Sequence, residues 1–259
     1  MKVVILAGGM PSTISEDRTG IPKPMATIGE MPMLWHIMKN FSAYGFREFV
    51  VCGGYKVEMI KDYFADFYLY QSDITVDLKN NKIEIHKNVT EDWQVTVVDT
   101  GLYSSTGQRI SLVEKYIDGE EFIVTYGDCL SDVDFDSLLE EHHKAGKWAT
   151  MVVAKPTGRN KLISVSEDGS YRRASREDYA QAYASAYTDA NIYVFGRKVF
   201  SLLNGNYSLE DQLFQILSQK KQMAVYKHDG FWIPVETNRD KTDIENMWNA
   251  GIAPWKNWQ

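Results

Sequence analysis

The chain has 259 residues, of which 44% are hydrophobic and 24% charged, a composition typical of a globular enzyme and unlike that of a disordered chain. Its 28 Lys and Arg residues against 35 Asp and Glu residues give a net charge of −7, which argues against a nucleic-acid-binding surface. Cys52 and Cys129 have neither metal-site nor disulfide spacing, so two buried thiols are expected. No apolar run approaches the length of a membrane span, and we therefore expect a cytoplasmic protein.

In chain order, the first half alternates strand-like and helix-like segments. Short apolar runs predict strands at 2–6, 48–52, 94–98 and 122–126, and helical spacing predicts helices at 33–44, 57–67 and 138–145. This alternation predicts a parallel, doubly wound α/β sheet, whose ligand lies at the carboxyl ends of the strands. Three clusters follow predicted strands and would meet at that edge: Gly8-Gly9, Gly53-Gly54 and Gly127-Asp128.

The second half is richer in strands. We predict strands at 149–154, 162–165, 190–195 and 224–228, and helices at 209–220 and 240–250. The segment 170–188 is polar without a clear period, which favours a surface loop or short helix capping the site. Without a linker or repeat, one domain over 1–259 is expected, with a nucleotide-binding half (1–150) and an acceptor-binding half (151–259).

Two early segments could contact phosphate. The glycines of Leu6-Ala7-Gly8-Gly9 would let backbone N–H groups approach phosphate oxygens, although a double glycine after a strand is also common in tight turns. Lys23 lies between Pro22 and Pro24, which limit the directions its ammonium can take. A held cation suits an α-phosphate that gains charge during displacement, whereas a solvated lysine in a Pro-rich loop is the alternative.

Two carboxylates could hold a metal. Asp128 ends a predicted strand at the sheet edge where phosphates would bind, a position suited to Mg²⁺. Glu236 offers a second carboxylate, or it is an ordinary surface glutamate. Asp136 is predicted to cap a helix beginning near Ser137, which leaves Asp128 as the favoured metal residue.

Taken together, the segments resemble the glucose-1-phosphate cytidylyltransferases of the sugar-nucleotide pyrophosphorylase superfamily. The resemblance is carried in order by Val4–Gly9, Pro22–Met25, Met33–Lys39, Val51–Tyr55, Val95–Gly101, Thr125–Asp128 and Ala253–Trp258. It implies a Rossmann-like, doubly wound mixed sheet of the GT-A-like nucleotidyltransferase type, with a small β-rich lobe on the sugar side. It also implies a homo-oligomer that uses Mg²⁺, CTP and a sugar 1-phosphate, and that forms a CDP-sugar and pyrophosphate.

The resemblance also implies roles by position. Leu6, Ala7, Gly8 and Gly9 would cradle the nucleotide, and Lys23 would meet its phosphates. Asp128 would hold the metal, with Glu236 where the family has a second metal-binding aspartate. The segment that reads the pyrimidine would contain Thr106, Gly107 and Arg109.

Several family positions differ in this chain. Thr13 replaces the loop arginine that grips the triphosphate, and Pro11 replaces a loop glycine. On the sugar side, the family's Glu-Lys-Pro falls on 176–178 and its Asn-Gly-Gly falls near 189–191. The candidate acceptor-binding residues are Arg159, Lys161, Arg172, Arg176 and Asp189.

Three hypotheses follow from these differences. The first is an active enzyme with glucose 1-phosphate as the default acceptor, or with another phosphorylated small molecule. The second is a catalytically weak or inactive nucleotide-binding relative that regulates or joins a partner. The third, a structural oligomerisation module without a ligand, is disfavoured by the retained glycines.

Overall fold

A central seven-stranded sheet organises the protein. The computed structural model describes residues 1–9, 20–86, 90–156, 163–165, 170–173 and 186–258. The sheet contains β1 (Lys2–Ala7), β4 (Glu48–Gly53), β7 (Gln94–Asp99), β8 (Glu121–Tyr126), β10 (Ala149–Ala154), β13 (Thr188–Gly196) and β14 (Met223–His228). Their order is β14-β10-β13-β8-β1-β4-β7. Only β13 runs antiparallel to its neighbours within this sheet, which is therefore mixed, as predicted.

Short strand pairs and helices complete the described elements. The short strands are β2 (Thr27–Ile28), β3 (Met31–Pro32), β5 (Ile74–Asp77), β6 (Lys82–Ile85), β9 (Cys129–Ser131), β11 (Ile163–Val165), β12 (Tyr171–Arg173) and β15 (Trp232–Pro234). The helices are α1 (Met33–Ala43), α2 (Val57–Ala65), α3 (Phe67–Tyr70), α4 (Thr106–Leu112), α5 (Phe135–Ala145), α6 (Phe214–Gln219) and α7 (Asn238–Asn249). A π-helical turn, Leu209–Leu213, leads directly into α6.

The apolar run of β1 is buried on both faces. Val3 and Ile5 pack in one core cluster with α1, whereas Val4 and Leu6 pack in a second cluster on the other face. Such a doubly covered central strand explains why the sequence reads as a continuous apolar run. The arrangement confirms the predicted doubly wound α/β fold.

Three local predictions differ from the structure. The helix predicted at 57–67 is interrupted at Asp66, and the one predicted at 209–220 begins as a π-helical turn. Asp136 is not the cap of α5, because that helix begins at Phe135 and the Asp134 carboxylate accepts the Ser137 N–H at 3.0 Å. The cap prediction was wrong by two residues, since Asp136 already lies within the first turn.

The polar segment 170–188 is only partly described. Its residues 171–173 form β12, paired antiparallel to β11, which differs from the predicted loop or short helix. Residues 174–185 lie outside the described ranges.

Both cysteines are free and buried, as expected. Burial raises the pKa of the Cys52 thiol to about 12. Within the described part of the chain, no helix is long and apolar enough to cross a membrane.

Candidate active site

A cavity of about 820 Å³ opens at the carboxyl ends of β1 and β8 and beside the loop that follows β7. Its position at this edge of the sheet agrees with the predicted ligand crevice. The structure brings together at its wall most of the predicted nucleotide-side and metal residues, namely Leu6, Ala7, Gly8, Gly9, Lys23, Thr106, Arg109, Asp128 and Glu236.

Lys23 and Asp128 form the charged centre of the cavity. The Lys23 Nζ lies 2.8 Å from the Asp128 Oδ2, and both side chains are partly buried. Burial alone would lower the pKa of Lys23, but the Asp128 carboxylate, helped by Glu236, raises it overall. The ammonium therefore stays protonated and can contact a phosphate beside the carboxylate.

The backbone around Gly127 sets this separation. Lys23 begins a single 3₁₀ turn, Lys23–Met25, that follows Pro22. A Cβ on Gly127 would lie 2.8 Å from the Pro24 Cγ, so only glycine lets the proline turn approach the end of β8 so closely. This close approach brings the Lys23 side chain to Asp128.

Glu236 reaches the cavity through a second strand pair. β15 runs antiparallel to β9, and the Val235 N–H donates to the Asp128 carbonyl at 2.8 Å. The next residue, Glu236, lines the cavity near Asp128. Glu236 is thus an exposed residue in the cavity wall, and its role as a second metal ligand stays a prediction.

Arg109 links the glycine loop, Leu6–Gly9, to the chain segments at Gly53 and at Gly101. The residue is only 5% exposed, and its guanidinium donates to the carbonyls of Gly8 at 2.6 Å, Gly101 at 2.8 Å and Gly53 at 3.2 Å. It also reaches the Leu102 carbonyl at 3.3 Å and a threonine hydroxyl at 2.6 Å. Both Nη groups of Arg109 are therefore engaged by the protein, although the residue lines the cavity.

The close packing of Arg109 also explains why the first residue of the Gly8-Gly9 pair is a glycine. A Cβ on Gly8 would fall 2.0 Å from the Arg109 Nη1, whereas a Cβ on Gly9 would meet nothing within 4 Å. Gly8 is thus required for close packing against Arg109, and Gly9 is exposed at the cavity. Only the second glycine has the open surroundings predicted for a phosphate contact.

Thr106 and Gly107 begin α4 at the same wall. Thr106 lines the cavity and its Oγ1 accepts the Leu209 N–H at 3.0 Å. Gly107 is buried behind it and donates its N–H to the Tyr207 carbonyl at 3.2 Å. Of the two, only Thr106 lines the cavity, and the predicted nucleotide contact of Gly107 stays a prediction.

The acceptor side is less completely described. Arg159, Lys161 and Arg176 lie outside the described residues, and Arg172 is described only as a backbone position in β12. Asp189, in β13, accepts the Tyr193 hydroxyl at 2.7 Å and the Asn191 N–H at 2.8 Å. Burial, the largest effect, raises the pKa of Asp189 to about 7. The predicted acceptor contact of these residues remains untested.

Two features of the cavity wall were not predicted. The first is the segment Leu102–Ser105, here called the Tyr103 wall, which follows Gly101 at the end of β7. The second is Glu210, which enters the cavity from the π-helical turn. Gly101 follows a predicted strand, as the other glycine clusters do, and the same argument would have predicted that the Tyr103 wall lies at the cavity. Glu210 had none, because a π-helical turn has no signature in this pattern.

Glu210 adds a third carboxylate to Asp128 and Glu236 in the cavity. Burial, followed by the negative charges of Glu210 and Asp189, raises the pKa of Tyr126 well above its usual value. The Tyr126 phenol therefore remains protonated at neutral pH, and the residue lines the cavity.

Comparison with known proteins identifies the family of this chain. Residues 2–248 match the family model described as nucleotidyl transferase. The chain is 38% identical, over the full length of both proteins, to a glucose-1-phosphate cytidylyltransferase of Salmonella typhimurium. It is 35% identical, again over both full lengths, to a probable glucose-1-phosphate cytidylyltransferase of Bacillus subtilis.

Solved structures share the fold at low identity. HddC from Yersinia pseudotuberculosis superposes with a TM-score of 0.70 at 18% identity, covering 95% of this chain and 99% of HddC. A UDP-glucose pyrophosphorylase complexed with UDP-glucose superposes with a TM-score of 0.70 at 15% identity, covering 96% of this chain and 98% of its own. The family match and the full-length identities establish that the chain belongs to the nucleotidyl transferase family, as a relative of the glucose-1-phosphate cytidylyltransferases.

Proposed function

We propose that the chain transfers the cytidylyl group of CTP to a sugar 1-phosphate, with glucose 1-phosphate as the first acceptor to test. The observation that carries this proposal is the Lys23–Asp128 pair, 2.8 Å apart, in a cavity floored by the glycine loop. The 38% identity to a glucose-1-phosphate cytidylyltransferase supports the choice of base and acceptor. The same full-length relationship favours an active enzyme over a nucleotide-binding relative without activity.

In the proposed reaction, a phosphate oxygen of the acceptor attacks the α-phosphorus of CTP. The bond from that phosphorus to the oxygen bridging to the β-phosphate breaks, and pyrophosphate leaves. The Lys23 ammonium, fixed by Asp128, would stabilise the charge that develops on the α-phosphate oxygens. The exposed backbone at Gly9 would approach the phosphates, and catalysis would rest on positioning and charge neutralisation.

The cavity residues fit Mg²⁺. Asp128 and Glu236 supply carboxylate oxygens, the ligands that this hard cation prefers. Among the described residues, no group of three His, Cys, Asp or Glu side chains is arranged to hold a metal alone. Mg²⁺ is commonly held by one or two carboxylates together with substrate phosphates, so two protein ligands are sufficient. When bound, the cation would neutralise charge on the triphosphate.

The test is pyrophosphate release from CTP, glucose 1-phosphate and MgCl₂, with the sugar nucleotide identified by mass spectrometry. Parallel reactions would contain UTP, dTTP, ATP or GTP, other sugar 1-phosphates, or EDTA. We expect CTP to be preferred and EDTA to abolish turnover. Asp128→Asn should lower the rate by about a hundredfold or more, whereas Asp136→Asn, a matched exposed carboxylate on α5, should not. No release with any nucleotide and acceptor would refute the proposal.

We further propose that the chain is a homo-oligomer, and the β5–β6 hairpin supports this. All eight strand residues of the hairpin are exposed. Ile74 pairs with Ile85 and Val76 with Ile83, so four aliphatic side chains, 41–51% exposed, share one face. A two-stranded hairpin with an uncovered apolar face gains little stability alone, which favours its burial against another chain.

A second copy of the chain is the partner that the hairpin's charge favours. The segment 73–86 carries three acidic residues (Asp73, Asp77 and Glu84) and two lysines (Lys79 and Lys82), so it is nearly neutral within a chain of net charge −7. Two copies can therefore meet there with little repulsion. Light scattering should give a multiple of the monomer mass for the wild type and a smaller mass for Val76→Glu. Thr75→Glu, on the opposite face, is the control, and a monomeric wild type would refute the proposal.

A further inference from the structure

We propose that Cys129 and Asn191 are positioning residues that fix the Asp128 carboxylate for the cation and the phosphates in the cavity. This inference rests on the proposed nucleotidyl transfer, and it adds two residues that act through Asp128 rather than by touching a substrate. Neither of them lines the cavity. The Asn191 Nδ2 donates to the Cys129 Sγ at 3.5 Å, and the Cys129 thiol donates to the Asp128 Oδ1 at 3.6 Å.

The thiol gives the second oxygen of the Asp128 carboxylate a hydrogen-bond donor. Oδ2 accepts from the Lys23 ammonium at 2.8 Å, whereas Oδ1 accepts from the thiol. Cys129 is buried, and burial raises the pKa of its thiol, so the proton that it donates is retained at neutral pH. Donors at both oxygens restrict rotation of the carboxylate about its last torsion. Each oxygen keeps a lone pair that a cation can use.

Asn191 reaches the thiol from a bulge in β13. Between the pairs that Asp189 and Tyr193 form with β10, three residues of β13 lie opposite one residue of β10. Within this bulge, Asn191 has a φ of 58°, in the left-handed region. Bulges redirect side chains and are frequent beside active sites. The irregular backbone of β13 therefore accompanies the contact between the Asn191 amide and the thiol.

Hydrogen bonds on two sides hold the bulge. The Asn191 N–H donates to the Asp189 Oδ1 at 2.8 Å, and the Tyr193 hydroxyl donates to the Oδ2 of the same carboxyl at 2.7 Å. The Trp232 indole donates to the Ala190 carbonyl at 2.8 Å. The Asn191 amide thus starts from a fixed backbone. The family resemblance aligns a glycine near position 191, and a glycine has no side chain that could make the contact with Cys129.

Removing groups that orient a metal ligand typically costs 10- to 100-fold in metal affinity or activity. The experiment therefore measures two cation constants for wild type, Cys129→Ala, Cys129→Ser and Asn191→Gly. One is the Mg²⁺ concentration for half-maximal pyrophosphate release at saturating CTP and acceptor. The other is the Kd of Mn²⁺ with CTP and no acceptor, by electron paramagnetic resonance, since Mn²⁺ takes the same oxygen ligands. Glycine at 191 keeps the left-handed backbone and removes only the amide.

We expect Cys129→Ala to raise both cation constants about 10- to 100-fold, and Cys129→Ser, which keeps a donor, to raise them less. Asn191→Gly should raise them by a smaller factor than Cys129→Ala. In the Cys129→Ala background, Asn191→Gly should have no further effect, because the amide acts through the thiol.

Two matched controls separate positioning from packing. Cys52→Ala removes a buried thiol in β4, and Lys221→Gly removes an exposed side chain at a φ of 55°; neither residue lines the cavity. Lost packing should lower the Tm of Cys52→Ala and of Cys129→Ala. Only the loss of the Asp128 contact should also change the Mn²⁺ Kd, so both controls should keep the cation constants of the wild type.

The proposal is overturned if Cys129→Ala binds Mn²⁺ within about twofold of wild type, or if Asn191→Gly weakens Mn²⁺ equally with and without the thiol. The Mn²⁺ measurement separates this failure from that of the proposed function. If the wild type binds Mn²⁺ with CTP but releases no pyrophosphate, the reaction is wrong, and the Mn²⁺ comparison still decides the positioning. If the wild type binds no Mn²⁺ in the presence of CTP, both proposals fail.

Discussion

Replacing Arg109 by methionine tests whether this residue acts by holding loops or by touching the nucleotide. Its guanidinium contacts the carbonyls of Gly8, Gly53 and Gly101, and each would lose a buried, charge-assisted partner in Arg109→Met. An unsatisfied buried polar group costs about 1–3 kcal/mol, and breaking a buried charged network costs about 3–5 kcal/mol. Removing the guanidinium also removes its own desolvation cost, so we take the lower end, about 3 kcal/mol.

For a domain of this size, that loss corresponds to a decrease in Tm of roughly 6–12 °C. Differential scanning calorimetry of Arg109→Met, with Arg239→Met as an 82% exposed control, measures it directly. Pyrophosphate release then gives kcat and the KM for CTP. We expect both the Tm and the activity to fall, because the glycine loop loses the hydrogen bond from Arg109 that fixes its position. A variant with unchanged Tm and a raised KM would refute the reasoning and assign Arg109 a direct contact with the nucleotide.

Three further predictions concern Lys23, Gly8 and Asp189. Lys23→Met should lower kcat about a hundredfold or more, because the α-phosphate loses its fixed cation. The Tm should change little, because a partly exposed ion pair stabilises the fold by at most about 1 kcal/mol. Steady-state kinetics and calorimetry measure the two effects, and Lys23→Arg, which keeps the charge, should retain more activity. Gly8→Ala places a methyl 2.0 Å from the Arg109 Nη1. In a double-mutant cycle with Arg109→Lys, the free energies of unfolding should show a coupling energy of about 1 kcal/mol. Additive changes in the free energy of unfolding would contradict the contact. Burial raises the pKa of Asp189 from 3.8 to about 7 in the folded protein. Between these two pH values the folded carboxyl keeps its proton, whereas the unfolded chain loses it. The contribution of Asp189 to the free energy of unfolding therefore falls as pH rises from about 4 to about 7 and then levels off. Asp189→Asn should therefore gain stability relative to wild type from pH 4 towards pH 7 in denaturant titrations, and a constant difference would mean that the folded carboxyl titrates normally.

The sheet could be predicted because burial dominates its sequence. Strands such as β1 and β10 are covered on both faces, so their apolar runs identify them without any other information. The glycine loop and Asp128 could be placed at one edge of the sheet because parallel strands end together. Lys23 follows no predicted strand, and only the family resemblance placed it with them. What the pattern could not give was the role of each group. A side chain at position 8 would overlap with Arg109, and the Arg109 guanidinium donates to backbone carbonyls. Both facts depend on contacts between segments that are far apart in the sequence.

The unpredicted elements have different physical causes. The β5–β6 hairpin alternates apolar and polar residues, but its apolar face is exposed, so it has no core partner that would identify it. The segment Leu209–Leu213 has the apolar spacing of an α-helix but forms a π-helical turn. The apolar spacing of the sequence does not indicate the extra residue that a π-helical turn contains. This extra residue accompanies the entry of Glu210 into the cavity. Irregular turns of this kind are frequent at functional sites, where sequence rules for regular elements fail.

The described part of the acceptor side bears on whether the sequence differences change the reaction. Asn191 has a φ of 58°, in the left-handed region, at a position where the resemblance aligns a glycine. Asparagine is among the residues that tolerate this conformation best, so the backbone of β13 can be kept despite the substitution. The difference at Asp189 is instead chemical, a carboxyl for an amide, and both of its oxygens already accept hydrogen bonds from the protein. A change of acceptor would therefore have to be caused by side chains rather than by the β13 backbone.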